Sequence, residues 1–192
     1  MAEKLSEGYE LLGGNMLQAN VDAGKIKALL LDFVRMHQGE QVYFMLELPP
    51  EHLAQMQVSY GQNVLEEDSE RYYIDDISYE QAKELLDCVG QLLIHDGVSR
   101  FSFGGTYSMD EMVIDKFNVV SVMAVMDVEP YVELFTKYDI PQTEGLLTAW
   151  DTFSEEEPGV AMQYEEDNVN VFDIPAMFAD WGMYIHTIRP DE

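Results

Sequence analysis

An α+β fold is predicted: one domain over residues 1–192, with a mixed or mainly antiparallel sheet packed against about three main helices. Three observations predict it. Helical stripes and short β-rich runs interleave, but not as the regular strand–helix–strand series of a parallel sheet. The chain has 192 residues and is 47% hydrophobic, which suits one well-packed core and would be cramped for two. No internal repeat and no low-complexity linker divides it.

Residues 1–15, MAEKLSEGYELLGGN, are read as poorly ordered. They lack the basic stretch and apolar run of a secretory signal. The next segment, AGKIKALLLDFVRMHQG, places Ile26, Leu29, Leu30, Phe33, Val34 and His37 on one helical face. Asp22 is suited to cap its start and Gly39 to end it. QVYFMLEL follows as a buried strand stopped by Pro49-Pro50, and PPEHLAQM reads as one helical turn.

Gln57 to Glu70 lacks periodicity and reads as a loop, after which RYYIDDI supplies a strand. Ser78 and Gln81 have capping-box spacing ahead of a stripe formed by Ala82, Leu85, Leu86, Val89, Leu92 and Leu93. Gly97 is read as the stop. VSRFSF and KFNVVSVMAV are strands, the second apolar enough for the interior of a sheet. Glu129-Pro130 opens a third helix with Tyr131, Leu134, Phe135 and Tyr138 on one face. The helices are therefore expected near 22–38, 78–96 and 130–138, and strands at 41–48, 71–76, 98–103 and 117–126. Beyond Pro141, LLTAWDTF fits helix or strand. VAMQY and NVNVF suggest short strands, IPAMFADWG a helical turn, and MYIHTIR a closing strand.

Charge excludes more than it identifies. Ten Lys+Arg stand against thirty-seven Asp+Glu, a formal net of −27. Nucleic-acid binding needs basic side chains that displace phosphate counterions, so no nucleic-acid partner is expected. Anionic membrane surfaces are disfavoured for the same reason, and no apolar run approaches the roughly eighteen residues of a span. Spread evenly, the net charges would lie about 19 Å apart, beyond a screening length of about 8 Å. Only local clusters can steer a partner.

Motifs for catalysis are absent. The four histidines, His37, His52, His95 and His186, have no metal-binding spacing. His37 and His95 sit at predicted helix C-termini, where the dipole and free carbonyls favour them structurally. Cys88 is the only cysteine. It excludes an internal disulfide and, following Asp87 beside the leucine stripe, is read as a buried core residue. No nucleophile elbow, phosphate loop or dinucleotide fingerprint occurs, and FGGTYS reads as a turn. Asp75, Asp76, Asp110, Glu111 and Asp115 are candidate metal ligands only if the fold gathers them. No catalytic residue, metal or cofactor is assigned.

The stretch AWDTFSEEEPGVAMQYEEDNVNVFD carries two acidic runs among aromatic residues, with no lysine or arginine. Aromatic anchors inside a charged rim are a protein-interface design. The same residues also fit tryptophans filling the core beneath a solvated surface. Trp150, Glu155, Glu156, Glu157, Glu165, Glu166, Asp167 and Trp181 are the candidate partner-binding residues. The expectation is a cytoplasmic module that binds a basic protein, as an immunity-type inhibitor or DNA mimic would; the alternative is a metal- or carboxylate-dependent enzyme with a site assembled from dispersed acidic residues.

Overall fold

The first described strands form a hairpin. Gly8–Gly13 (β1) pairs antiparallel with Met16–Asn20 (β2). Gly14 and Asn15 turn between them at φ 58° and 61°, the left-handed pair that a two-residue hairpin loop requires. Residues 8–15, read from sequence as poorly ordered, are thus built into the sheet. The computed structural model describes residues 5–50, 69–154, 156–157 and 159–186, and the backbone of 55–58.

Helix α1 (Ala23–Met36) starts where expected, with the Asp22 carboxylate accepting from Gly24 N at 2.9 Å. All six stripe residues, His37 included, are buried. Strand β3 (Val42–Leu48) follows, then β4 (Gln55–Val58) and β5 (Glu70–Ile74). Gln55 and Met56, read as part of a helical turn, and Gln57 and Val58, read as loop, are therefore strand. Both readings otherwise fall partly outside the described residues, in 51–54 and 59–68. Helix α2 (Tyr79–His95) carries the expected capping box in both directions: Gln81 N donates to Ser78 Oγ, and Ser78 N to Gln81 Oε1.

Strands β6 (Arg100–Gly105), β7 (Glu111–Asp115) and β8 (Val119–Met123) form a meander, and α3 (Glu129–Lys137) begins with Pro130 in its first turn. The C-terminal third has little regular structure. It contains a short 3₁₀ turn (Ala149–Thr152), β9 (Gly159–Met162), the tiny hairpin β10 (Glu165–Glu166) and β11 (Val169–Asn170), α4 (Ile174–Met177) and β12 (Tyr184–His186).

Eight strands make one antiparallel sheet in the order β1-β2-β8-β7-β6-β3-β5-β12. Its inner face is legible from register. Leu17, Val122, Met112, Phe103, Phe44 and Ile74 lie opposite one another in turn, and so do Ala19, Val120, Ile114, Phe101 and Leu46. These two rows are buried with the apolar stripes of the helices. The alternate row, Gln18, Ser121, Val113, Ser102, Met45 and Tyr73, faces the other way. Removing Phe33 or Phe44, both fully buried, would cost about 3–5 kcal/mol.

Both sheet edges involve the chain's later residues. Along β1, Tyr9 N donates to Pro141 O and Thr143 N to Tyr9 O, at 2.9 and 2.7 Å. At the other edge β12 adds itself to β5, Tyr184 opposite Tyr73 and His186 opposite Arg71.

Candidate functional site

Trp150 sits in the 3₁₀ turn, half-buried. Its ring meets Phe117 and Phe153 edge-on, with centroids 5.4 and 6.2 Å away. Trp181 lies in a second 3₁₀ turn (Ala179–Trp181), half-buried and edge-on to Phe178 at 5.0 Å. Each indole therefore packs against the core with one part and meets solvent with another. Among the described residues, no ring contact or hydrogen bond joins these two aromatic layers.

The acids stand outward. Glu156 and Glu157 are exposed in a loop closed by Ser154 N on Glu157 O and by Glu157 N on Ser154 Oγ. Glu155 lies outside the described residues. Glu165, Glu166 and Asp167 are exposed on the β10–β11 hairpin, whose turn places Asp167 and Asn168 at φ 53° and 63°. The hairpin is tied to the end of α2, because Asp96 Oδ1 accepts from Tyr164 N at 3.0 Å and the Tyr164 ring lies against His95.

What separates this region from the rest is the disposition of positive charge. Among the described residues, seven basic side chains are held in ion pairs by only four carboxylates. Lys25 pairs with Glu7, Lys27 and Lys83 with Asp87, Arg35 and Lys137 with Asp32, and Arg71 and Arg100 with Glu47. The eighth, Lys116, is buried, and that burial pushes its ammonium below the usual lysine range. Burial alone would raise the Asp32 carboxyl, but hydrogen bonds from Lys137 and Tyr138 with the nearby Arg35 charge hold it below the usual range. No lysine or arginine occurs from residue 138 to 186.

A cavity of about 580 Å³ opens beside His37, Glu40, Tyr107 and Ser108. Its polar groups are arranged as a clamp. Glu40 Oε1 lies 2.7 Å from His37 Nδ1, and Oε2 accepts from Tyr107 N and Ser108 N at 2.6 and 2.8 Å. Burial works against this charge, yet the bonds from His37 and the two backbone amides hold the carboxyl at about 2. On the other side, His37 Nε2 lies 3.0 Å from the Tyr131 hydroxyl, which donates to Asp110 Oδ2 at 2.6 Å. Both ring nitrogens of His37 are thus engaged, Nδ1 by Glu40 and Nε2 by the Tyr131 hydroxyl. Ser108 Oγ is 3.4 Å from the same Nδ1 that Glu40 occupies. Nδ1 lies much closer to Glu40 than to Ser108, and Nε2 faces Tyr131, so no ring nitrogen is set against the serine as its base and the geometry does not form a nucleophilic triad.

The carboxylates suggested as metal ligands go separate ways. Asp75 accepts from Tyr184 OH, Asp110 from Tyr131 OH and Val125 N, Glu111 from Ser102 Oγ, and Asp115 from Lys116 N. Among the described residues no group of three or more histidine, cysteine or acidic side chains is placed to hold a metal ion. Cys88 is exposed, which corrects its reading as a core residue. It shares its face of α2 with exposed Glu84 and Gln91, four residues before and three after.

The described residues contain no helix long and apolar enough to cross a membrane. No family model, curated protein or solved structure matches this chain.

Proposed function

We propose that this chain is a cytoplasmic protein-binding module, not an enzyme, and that it engages a basic protein through its C-terminal third. The disposition of positive charge carries the reading: lysines and arginines that, among the described residues, are paired or buried, and a stretch from 138 to 186 without lysine or arginine that exposes Glu156, Glu157, Glu165, Glu166 and Asp167. Acids within a run lie closer than a screening length, so their fields add. The exposed parts of Trp150 and Trp181 supply apolar contact beside them. An immunity-type inhibitor of a toxic nuclease, or a protein presenting DNA-like charge to a DNA-binding enzyme, would use this physics. That analogy is one of charge and size.

Capture on the immobilised chain from its native host, read by mass spectrometry at low and physiological salt, tests the proposal. A basic protein should be retained at low salt and weakened by reversing Glu156, Glu165 and Glu166 to lysine. Retention of no basic protein, or retention indifferent to the reversals, would overturn it.

A further inference from the structure

The end of the sheet at the β1–β2 and β6–β7 turns exposes large apolar side chains. Tyr107 is 91% exposed, Met126 84%, Met109 68% and Val125 57%. Met16 and Met123, also exposed, face each other across β2 and β8. Two polar side chains tie these segments together. Asn15 Nδ2 donates to Met126 O at 3.1 Å, and Asp110 Oδ1 accepts from Val125 N at 2.7 Å, immediately after Met109. The turns that carry these side chains are therefore held together at one end of the sheet. Contiguous exposed apolar surface on a folded chain marks interaction sites. Methionine, unbranched and polarizable, adapts to varied partner shapes.

Met109 adds an independent sign. Its φ is 61°, a left-handed conformation that costs an L-residue energy and that glycine adopts freely. The turn thus places a strained, solvent-facing methionine where a glycine would suit the backbone better.

Charge selects the occupant. The segments that build this end, residues 8–20 and 101–129, contain Glu10, Asp110, Glu111, Asp115, Asp127 and Glu129 and one base, Lys116. Lys116 is buried at the opposite end of β7, whereas Asp127 and Glu129 are exposed beside the patch. A second copy would set these acids against their like, on a chain already at −27. We propose that this methionine-rich end docks a basic amphipathic segment of a partner protein, its apolar face on the methionines and its lysines or arginines toward Asp127 and Glu129. The proposal stands whether or not the C-terminal acidic face binds anything.

A synthetic helical peptide with leucines at i, i+3, i+4 and i+7 and lysines elsewhere is the probe, titrated into the full chain carrying ¹³C-methyl methionine. The Met109, Met123 and Met126 methyl signals should shift while that of buried Met112 stays put. Met109→Gly and Met126→Ser preserve the net charge, and each should weaken binding roughly tenfold. Met109→Gly should leave the melting temperature unchanged or raised, separating binding from folding. The triple reversal in the C-terminal acids should leave peptide affinity within about twofold at physiological salt, so the two readings fail separately. Equal binding by a glutamate-for-lysine peptide would overturn the proposal. So would indifference to both methionine variants, or self-association through this face in sedimentation.

Discussion

Glu40 shows how one side chain can hold two elements together. Its two oxygens bind His37 at the end of α1 and two backbone amides of the β6–β7 turn. A neutral replacement keeps the shape but loses the charge-assisted bonds. Glu40→Gln should therefore destabilise by about 2 kcal/mol in chemical denaturation. The pH dependence has a defined sign. The folded-state carboxyl lies at about 2 against an ordinary 4.5, so its stabilisation is fully present above about 4.5 and is lost as pH falls toward 2. The variant should flatten that acid limb; an unchanged limb would assign the acid sensitivity to other carboxylates. Cys88 yields a second expectation at this scale. Being exposed on α2, it should label rapidly with thiol reagents in the native state, and Cys88→Ser should change stability by no more than about 0.5 kcal/mol.

Among the elements, α2 shows best what sequence carries and what it omits. Its start was legible, because a capping box needs only two residues at fixed spacing. Its end was legible for the wrong reason. Gly97 was expected as the stop, and α2 does end just before it, at His95, but Gly97 is not among the glycines of positive φ that close a helix in the left-handed form. A β-carbon on Gly97 would lie 2.7 Å from Met162 O and 2.8 Å from Met162 N. This glycine lets the β9 backbone close onto the helix end, with Gly97 N donating to Met162 O. Backbone cannot step aside as a flexible side chain can, so Gly97→Ala should cost about 2 kcal/mol. Faster amide exchange at β9 would locate the damage. The α1 and α2 stripes and the cores of β3, β5, β6 and β8 were legible because periodic burial writes itself locally. Strand β7 leaves a weak local signal, because its apolar run is only Met112, Val113 and Ile114, bounded by Asp110 and Glu111 on one side and Asp115 on the other. Strands β1 and β2 pair with each other through a readable Gly-Gly-Asn turn, but what joins this hairpin to the rest of the sheet lies about a hundred residues or more away, at β8 and at Pro141 to Thr143. Such long-range pairings leave no local trace. The exposure of Cys88 and the Glu40 clamp were likewise settled by packing, not by spacing.

For the molecule as a whole, net charge matters less than where compensation is missing. Among the described residues, four carboxylates on the body hold seven lysine and arginine side chains, while the C-terminal runs have no lysine or arginine beside them in sequence from 138 to 186. If those runs meet a basic protein, they act at a distance before contact and at the rim after it. Reversing Glu156, Glu165 and Glu166 to lysine should then slow association severalfold and flatten its salt dependence, with little change in dissociation. Their exposure implies that thermal stability should hold or rise slightly, since the reversals relieve like-charge repulsion. The tryptophans should behave differently. Both are half-buried against phenylalanines, so Trp150→Ala and Trp181→Ala should each cost about 3 kcal/mol of stability. Trp150→Phe and Trp181→Phe retain most of the packing. If the exposed parts of the indoles anchor a partner, these milder variants should speed dissociation from the captured protein while leaving association unchanged. Kinetics and melting curves on the same set of variants separate the roles. Should the lysine reversals leave the association rate untouched, the acidic runs are solvated surface; should Trp150→Phe and Trp181→Phe leave dissociation untouched, the tryptophans serve only the core.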